Sequence, residues 1–532
     1  MLAAEPVRAI MQRARDAEAP SLIRAAANVG GLALILGAMF AAYAHTLNDW
    51  FVSDDFWYVR ASQIASPSFA LESFDYTSDG PVPEAIYRPL YPIIFLFTYE
   101  LFGMHAWAYH AMSIVLHMTN AVLVYMLARK LTGRDAIAFG AAFVFGLHPA
   151  YAPAVGWITN GVSLLSLLFS LGSFLLFLHF LDGGPRRWLS YGTSFLGIVF
   201  ATLIHPEALS TLAAMGLALV LWRVRAPADL RPPWRLLPFV PHAIVALVLA
   251  GLYQYIRDHS AYQQVAFAWG PHMWDNFLIF VAHLGNPFGV NESSSLHWRS
   301  AVPIAGVGLS ALWLLAGGRN IDWRVRVLVV AWLLAALLPL TTYRLGMESR
   351  KLYAAGAPFA LMLAMAAVGL WDQVALRLRP IAQRPYDLRY APIGVALLFV
   401  AVVLPLRAWQ TTDAQHMAIA SITRLDGATY KAMIDQVRRE QPVLPEGVRL
   451  DLAGVPWTLR VFNQLDQRLV DAIRIYYGDI EIAGAGDPAE LPTAPAAGRR
   501  LVVFSCPPVC APPIAQQDAG AREPDETARD SS

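Results

Sequence analysis

The sequence predicts an all-α polytopic membrane protein that carries a small α/β domain at its C-terminal end, and three observations predict it. The 532 residues are 56% hydrophobic, with a mean hydropathy of +0.44. Charged side chains make up only 15%, well under the roughly one quarter usual in soluble domains. Apolar runs of bilayer-spanning length recur along the first four hundred residues, separated by charged or Pro/Gly-rich breaks. The net charge of +1 says nothing about partners, among which no nucleic acid is expected, so the information lies in how charges are shared among loops. Only three of the forty basic residues are lysines, a bias read here as that of a GC-rich bacterial genome.

Taken in order, the apolar runs fall near 24–45, 106–128, 136–153, 160–181, 188–204, 207–222, 236–256, 301–317, 327–343, 352–371 and 391–408, about eleven transmembrane helices. Arg8, Arg13, Arg15 and Arg24 precede the first run, which is longer than a signal-peptide core and is read as a retained helix. Alternate loops carry Arg129, Lys130 and Arg134; Arg186 and Arg187; Arg223, Arg225, Arg231 and Arg235; Arg319, Arg324 and Arg326; Arg377, Arg379, Arg384 and Arg389. The positive-inside rule makes these loops cytoplasmic together with the N-terminus, and the other loops periplasmic.

The first periplasmic loop, 46–105, is acidic and long, which predicts short interfacial helices and a functional role. A second outer segment, 257–300, contains an apolar stretch too short for a span and reads as a re-entrant or interfacial helix. Residues 1–408 thus form the membrane domain. Residues 409–510 show charged helical spacing at 411–440 and 461–477 and strand-like GVRLDLAGV and RRLVVFSC, the pattern of a periplasmic α/β domain. The tail 511–532 is polar and has no core. Cys506 and Cys510 are too few for a four-thiolate zinc site and are compatible with a small disulfide outside the cytoplasm.

The chemistry is expected around NDWFVSDDFWYVR, residues 48–60, where Asp54 and Asp55 stand among Trp50, Phe51, Phe56 and Trp57. Aromatic rings suit a membrane boundary, whereas carboxylates there must face water, a partner or a substrate. Adjacent carboxylates raise one another's pKa, so one can accept a proton while the other stays charged or orients a ligand. The bland alternative is a solvated helix end. Basic residues on the outer face, Arg88, Arg257, Arg299, Arg344, Arg350 and Lys351, break the rule that set the topology, and they suit the phosphate of a lipid carrier or a phospholipid. Their bland reading is headgroup contact or pairing with Glu348.

Helix 106–128 aligns His110, Ser113, His117 and Asn120 on one face. Interhelical hydrogen bonding is the expected role of His117 and Asn120, while His110 lies near enough to the outer end to reach a site. His148 and His205, each followed by proline, mark outer-side turns, the second with Glu207. Metal-ligand spacing such as HExxH is lacking, which argues against zinc; a divalent ion held by carboxylates and phosphate stays open.

In combination, SDDFWYV, then YRPLYPIIFLFTYELFGMHAWAYHAMSIVLHMTNAVLVYMLARKLTG, then FGLHPAYAPAVGWITNGVSLLSLLF, then ESRKLYAAGAPFALMLA resemble the polyprenyl-phosphate-sugar-dependent membrane glycosyltransferases of the C-type (GT-C) fold. The resemblance is strongest to the membrane part of the transmembrane-and-tetratricopeptide O-mannosyltransferases and extends to protein O-mannosyltransferase-like enzymes. It covers about residues 50–370. It implies a lipid-phosphate sugar donor, an active site at the outer membrane face, and Asp54 or Asp55 as general base, with Asp55 alternatively meeting a metal or the acceptor. Arg88, Arg350 and Lys351 would hold the donor phosphate, and Arg344, Tyr353 and Glu348 lie beside or within the matching ESRK segment. Tyr151, Pro153 and Pro206 depart from the family pattern, and tetratricopeptide repeats are lacking, so the acceptor is the least determined partner.

The expected function is therefore transfer of a sugar, hexose or pentose, from a polyprenyl-phosphate donor to a periplasmic protein, glycan or lipid at the bacterial inner membrane. Two rivals belong to other classes. A transporter or flippase predicts polar groups through the full membrane depth, and an envelope-assembly scaffold predicts that Asp54 is dispensable.

Overall fold

The computed structural model describes residues 26–75, 87–183, 185–225, 237–259, 261–286, 300–318, 320–344, 348–378, 418–445, 448–455, 460–461, 464–465, 467–484 and 499–504. The basic N-terminal segment, the expected span 391–408, Arg299, both cysteines and the polar tail lie outside these residues. The chain divides into two compact units, Met1–Leu47 with Ser66–Met417, and Asn48–Ala65 with Ala418–Ser532.

The first unit is helical: α1 Ala26–Asn48 and, after the segment 48–65, α3 Leu90–Phe102, α4 Ala106–Thr132, α5 Asp135–Leu147, α6 Gly161–Asp182, α7 Arg187–Ile204, α8 Ala208–Arg225, α9 Val240–His259, α10 His272–Gly285, α11 Ala301–Gly317, α12 Trp323–Thr341 and α13 Tyr353–Leu378. Six helices are long and apolar enough to cross a bilayer, or seven if α5 and the bent segment after it form one span. This is a multi-pass membrane protein. Ten of the eleven expected runs are helices, and the eleventh lies outside the described residues. Two of the helices named above were not among the eleven. Leu90–Phe102 is an element of the acidic loop, and His272–Gly285 is the short helix expected in the second outer segment.

Local chemistry sets the helix ends. Gly133, with φ +67°, closes α4 by donating to the Arg129 carbonyl at 2.8 Å, a left-handed cap that other residues adopt only with strain. Asp322 caps α12 by accepting the Arg324 N–H at 3.0 Å. His148 and Pro149 end α5, and the following Pro149–Gly156 segment bends by 47°. Ion pairs tie helix ends together: Lys130 with Asp182, Arg129 with Asp135 at 3.0 Å and Arg134 with Asp372 at 2.7 Å.

Packing follows the membrane rule that small residues let backbones approach. Gly140 faces Ala364, and a Cβ there would sit 3.2 Å from the Ala364 methyl, so α5 and α13 meet closely. Larger rings fill the rest, with Phe174 edge-on to Trp332 at 5.5 Å. A polar chain crosses this core. Asn120 donates to Leu164 O at 2.9 Å and to the Tyr353 hydroxyl at 3.1 Å; that hydroxyl donates to His117 Nδ1 at 2.9 Å, and His117 Nε2 donates to Gly146 O at 3.0 Å. Four helices are tied by bonds of about 0.6 kcal/mol each.

The second unit contains α2 Asp54–Gln63, α14 Ala418–Glu440, α15 Gln467–Tyr477 and the strands β1 Arg449–Ala453, β2 Arg460–Val461, β3 Gln464–Leu465, β4 Ile482–Gly484 and β5 Arg499–Val503. The two strands read from sequence are β1 and β5, and both helices are present, the first followed from Ala418, where the described residues begin, and the second with the shorter bounds Gln467–Tyr477. A parallel sheet runs β4, β1, β5, in register Leu450 with Ile482 and Leu452 with Val502. Leu450, Asp451, Leu452 and Ala453 are all buried, as expected where a parallel sheet is covered on both faces. Asp451 is tolerated there because Arg449 pairs with it at 2.7 Å. Helix α14 buries Tyr430, Met433, Ile434 and Val437, one stripe at helical spacing.

Candidate active site

The acidic pair lies in the second unit, at the start of α2. Ser53 precedes it with φ +52° and ψ −124°, the only positive φ at a non-glycine among the described residues, and such strain concentrates at functional sites. The turn places the two carboxylates differently. Asp55 is fully buried, and its Oδ2 accepts the Val52 N–H at 2.9 Å while its own N–H donates to Val52 O at 3.0 Å. This reciprocal clasp holds the helix start. Asp54 is about 42% exposed, and its Oδ1 forms an ion pair with Arg468 Nε at 2.9 Å. Phe56 seats the helix against Tyr430, ring centroids 5.0 Å apart. The pair is thus divided into a structural member, Asp55, and a presented one, Asp54.

A second constellation lies in the first unit. Arg88 precedes α3, and its guanidinium donates to His205 Nε2 at 2.8 Å. His205 and Glu207 form the turn between α7 and α8. Nε2 meets the guanidinium, while Nδ1 meets the Glu207 N–H at 3.3 Å and lies 3.6 Å from Glu207 Oε2, so a donor faces each ring nitrogen. Burial, with Arg88 adding to it, holds His205 well below the usual imidazole range, so the ring is neutral. Burial also pushes the Glu207 carboxyl up to about 7, against the pull of Arg88, Lys351 and Arg350.

The segment Ser349–Leu352 supplies the other cations. Arg350 forks onto Glu348, its Nε donating at 2.6 Å, donates to Asn160 Oδ1 at 3.1 Å and lies 4.3 Å over the Trp157 ring. Lys351 Nζ sits over the Tyr343 ring and 3.7 Å from Glu348, beyond hydrogen-bond distance. Around this cluster Arg88 Nε, Lys351 Nζ, Trp157 Nε1 and Glu207 Oε2 are buried without hydrogen-bond partners among the described residues. Unpaired buried donors are costly, about 1–3 kcal/mol each, and charged ones more. Three basic side chains and the Trp157 N–H thus surround two carboxyls, Glu348, ion-paired with Arg350, and Glu207, an arrangement with donors left over for an anion such as a phosphate.

The remaining sequence candidates are placed as follows. His148 accepts the Ala150 N–H at 3.2 Å on Nδ1 and donates from Nε2 to Leu284 O at 2.9 Å, so it bolts a turn to α10. His110 is buried on the same face of α4 as Ser113, His117 and Asn120. Tyr353 belongs to the interhelical chain. Arg344 is exposed next to Tyr343. Among the described residues no three His, Cys, Asp or Glu side chains converge as metal ligands. Four residues were missed from sequence. Trp157, Asn160 and Tyr343 sit beside the cluster but carry no charge, and Arg468 gives no local signal at all.

No family model matches the chain. The chain is 30% identical over 166 residues to the human protein O-mannosyl-transferase TMTC1, covering 30% of this chain and 19% of that protein. It is 25% identical over 251 residues to Drosophila melanogaster protein O-mannosyl-transferase Tmtc3, covering 42% of this chain and 24% of that one. The matched stretches therefore span about a fifth to a quarter of these relatives. Among solved structures, the Archaeoglobus fulgidus oligosaccharyltransferase AglB in complex with an inhibitory peptide and a dolichol-phosphate is similar, with a TM-score of 0.47, 12% identity and coverage of 87% of this chain and 64% of that chain. ArnT from Cupriavidus metallidurans bound to undecaprenyl phosphate gives a TM-score of 0.43 and 16% identity, covering 84% of this chain and 85% of that chain.

Proposed function

We propose that this chain is a membrane glycosyltransferase that moves a sugar from a polyprenyl-phosphate donor to an acceptor hydroxyl at the periplasmic face of a bacterial inner membrane. The observation that carries the reading is the group of buried, unpartnered donors on Arg88, Lys351 and Trp157, next to Arg350. The similarity to O-mannosyl-transferases supports the reaction class.

In this reading Arg88, Arg350 and Lys351 hold the donor phosphodiester, and they stabilise the charge that grows on it as it leaves. The acceptor oxygen forms a bond to the anomeric carbon while the bond from that carbon to the phosphate oxygen breaks, its electron pair passing to the phosphate. The acceptor proton goes to Asp54, the presented carboxylate. A single displacement inverts the anomeric centre.

The test is a vesicle assay on the full chain with labelled polyprenyl-phosphate sugars, mannose first because it gives the relatives their name. Transfer with inversion is expected. Arg88→Ala and Lys351→Ala should each raise the donor KM about 10- to 100-fold, the worth of one charged hydrogen bond of about 1.5–3 kcal/mol. Absence of transfer from every lipid-phosphate sugar, or retention at the anomeric centre, would overturn the reading.

A further inference from the structure

The segment 467–480 grips α2 along its whole length. At the N-terminal end Arg468 Nε binds Asp54 Oδ1 at 2.9 Å. At the C-terminal end Gln63 Nε2 donates to Ile475 O at 2.9 Å, and Arg60 bridges to Asp479 at 2.6 Å. The N-terminal end of α2 meets the N-terminal end of α15, and its C-terminal end meets the C-terminal end of α15 and the turn after it, so α15 lies parallel to α2 and holds both of its ends. Gly427 of α14 closes the other flank, where an added Cβ would lie 2.8 Å from Val52 Cγ1. The acidic helix is therefore built into the α/β unit, although the two are far apart in sequence.

The contacts on Asp54 are one-sided. Arg468 Nε and the Ser53 hydroxyl, at 3.5 Å, both address Oδ1, and Oδ2 carries no hydrogen bond among the described residues. A carboxylate anchored through one oxygen presents the other in a fixed direction. Positional control of this kind matters, because a misplacement of about 1 Å can cost about a hundredfold in rate. The Arg468 and Asp54 side chains are 46% and 42% exposed, so a fold-stabilising ion pair here is worth little, whereas aiming the carboxylate needs only geometry.

We propose that Arg468 is a positioning residue for Asp54, which makes the C-terminal α/β unit part of the catalytic machinery. This rests on the assignment of Asp54 as the base. Arg468 holds Oδ1 so that Oδ2 meets the acceptor hydroxyl; when Oδ2 takes the proton, the guanidinium remains on Oδ1.

The experiment uses the full chain in vesicles with the labelled donor and compares Arg468→Gln, Arg468→Lys and Asp54→Asn, with thermal unfolding followed in parallel. Arg468→Gln should lower kcat about 10- to 100-fold with the donor KM unchanged, and Arg468→Lys should recover most of the loss. If Asp54→Asn retains activity, the base assignment falls and this inference with it. If Asp54→Asn is inactive while Arg468→Gln is fully active, Arg468 does not position the base, and the glycosyltransferase reading stands. A loss that tracks a lowered unfolding midpoint and is not restored by lysine also overturns the proposal.

Discussion

At the scale of single residues, adjacency in sequence conceals a division of labour. Asp54 and Asp55 differ by one position, yet one is half exposed on an arginine and the other is sealed in a backbone clasp. Asp54→Asn should therefore leave the protein folded and reduce transfer by at least about a hundredfold, the scale of a general base. Asp55→Ala should act mainly through folding, visible as a lower unfolding midpoint, because it leaves the buried Val52 N–H without its acceptor. Glu207 makes a different prediction. Its folded-state carboxyl titrates near 7 rather than at the usual 4.5. Between those values the folded state holds a proton that the unfolded state has released, so stability falls as pH rises through this window. The ionised carboxylate would also compete with the donor for Arg88, Arg350 and Lys351, while His205 stays neutral and Glu348 stays paired. Donor binding should weaken as pH rises through about 7, and Glu207→Gln should make the profile shallower. Because the donor phosphodiester keeps a single charge across this range, a profile in Glu207→Gln as steep as that of the unchanged chain would refute the assignment.

At the scale of elements, what the sequence made legible followed from the strength of the local signal. A bilayer demands about 20 apolar residues, and that demand is written continuously in α4 or α6. Leu90–Phe102 has 13 residues, below that demand, so its pattern does not separate it from the loop around it. The stripe on α4 was legible as one face because spacing alone sets faces, and its partners Gly146, Leu164 and Tyr353 were not, because they come from other helices. The cations Arg88, Arg350 and Lys351 stood out by breaking the charge rule. Their neighbours Trp157 and Asn160 break no rule. Close helix contacts were equally invisible before packing was known. Gly356 lies against the Tyr151 ring, and an added Cβ would stand 2.9 Å from Cε1 and nearer still to the hydroxyl oxygen. Tyr151 is fully buried and its ring is rigid, so it has little room to yield. Gly356→Ala should cost about 1–3 kcal/mol, read as a lower unfolding midpoint in detergent, whereas Gly172→Ala, with open space around its Cβ, should be neutral or better.

At the scale of the molecule, residues assigned to donor and acceptor chemistry belong to different units. Arg88, Glu207, Arg350 and Lys351 fall in the membrane unit, and Asp54 falls in the unit that holds the parallel sheet. Composition suggested a boundary near residue 408, with the acidic loop inside the membrane part. The contact pattern instead groups Asn48–Ala65 with Ala418–Ser532. Removing the chain after Met417 would thus strip α2 of α14, α15 and the Arg60, Gln63, Phe56 and Asp54 contacts they supply. The helices of the first unit keep their own core, including the chain from Asn120 to Gly146, so the truncated protein should still insert and still bind the lipid phosphate. Transfer should be lost. Three readings separate here. A scaffold that merely presents the C-terminal unit loses its function on truncation but is indifferent to Asp54→Asn. A transporter that uses the membrane unit alone tolerates both changes. A glycosyltransferase whose base is carried by the C-terminal unit loses transfer in both, while labelled polyprenyl phosphate continues to bind with an affinity that Arg350→Ala, and not truncation, lowers. Retained transfer after truncation would show that α2 needs no partner from beyond Met417, which its buried Phe56 and Val52 argue against.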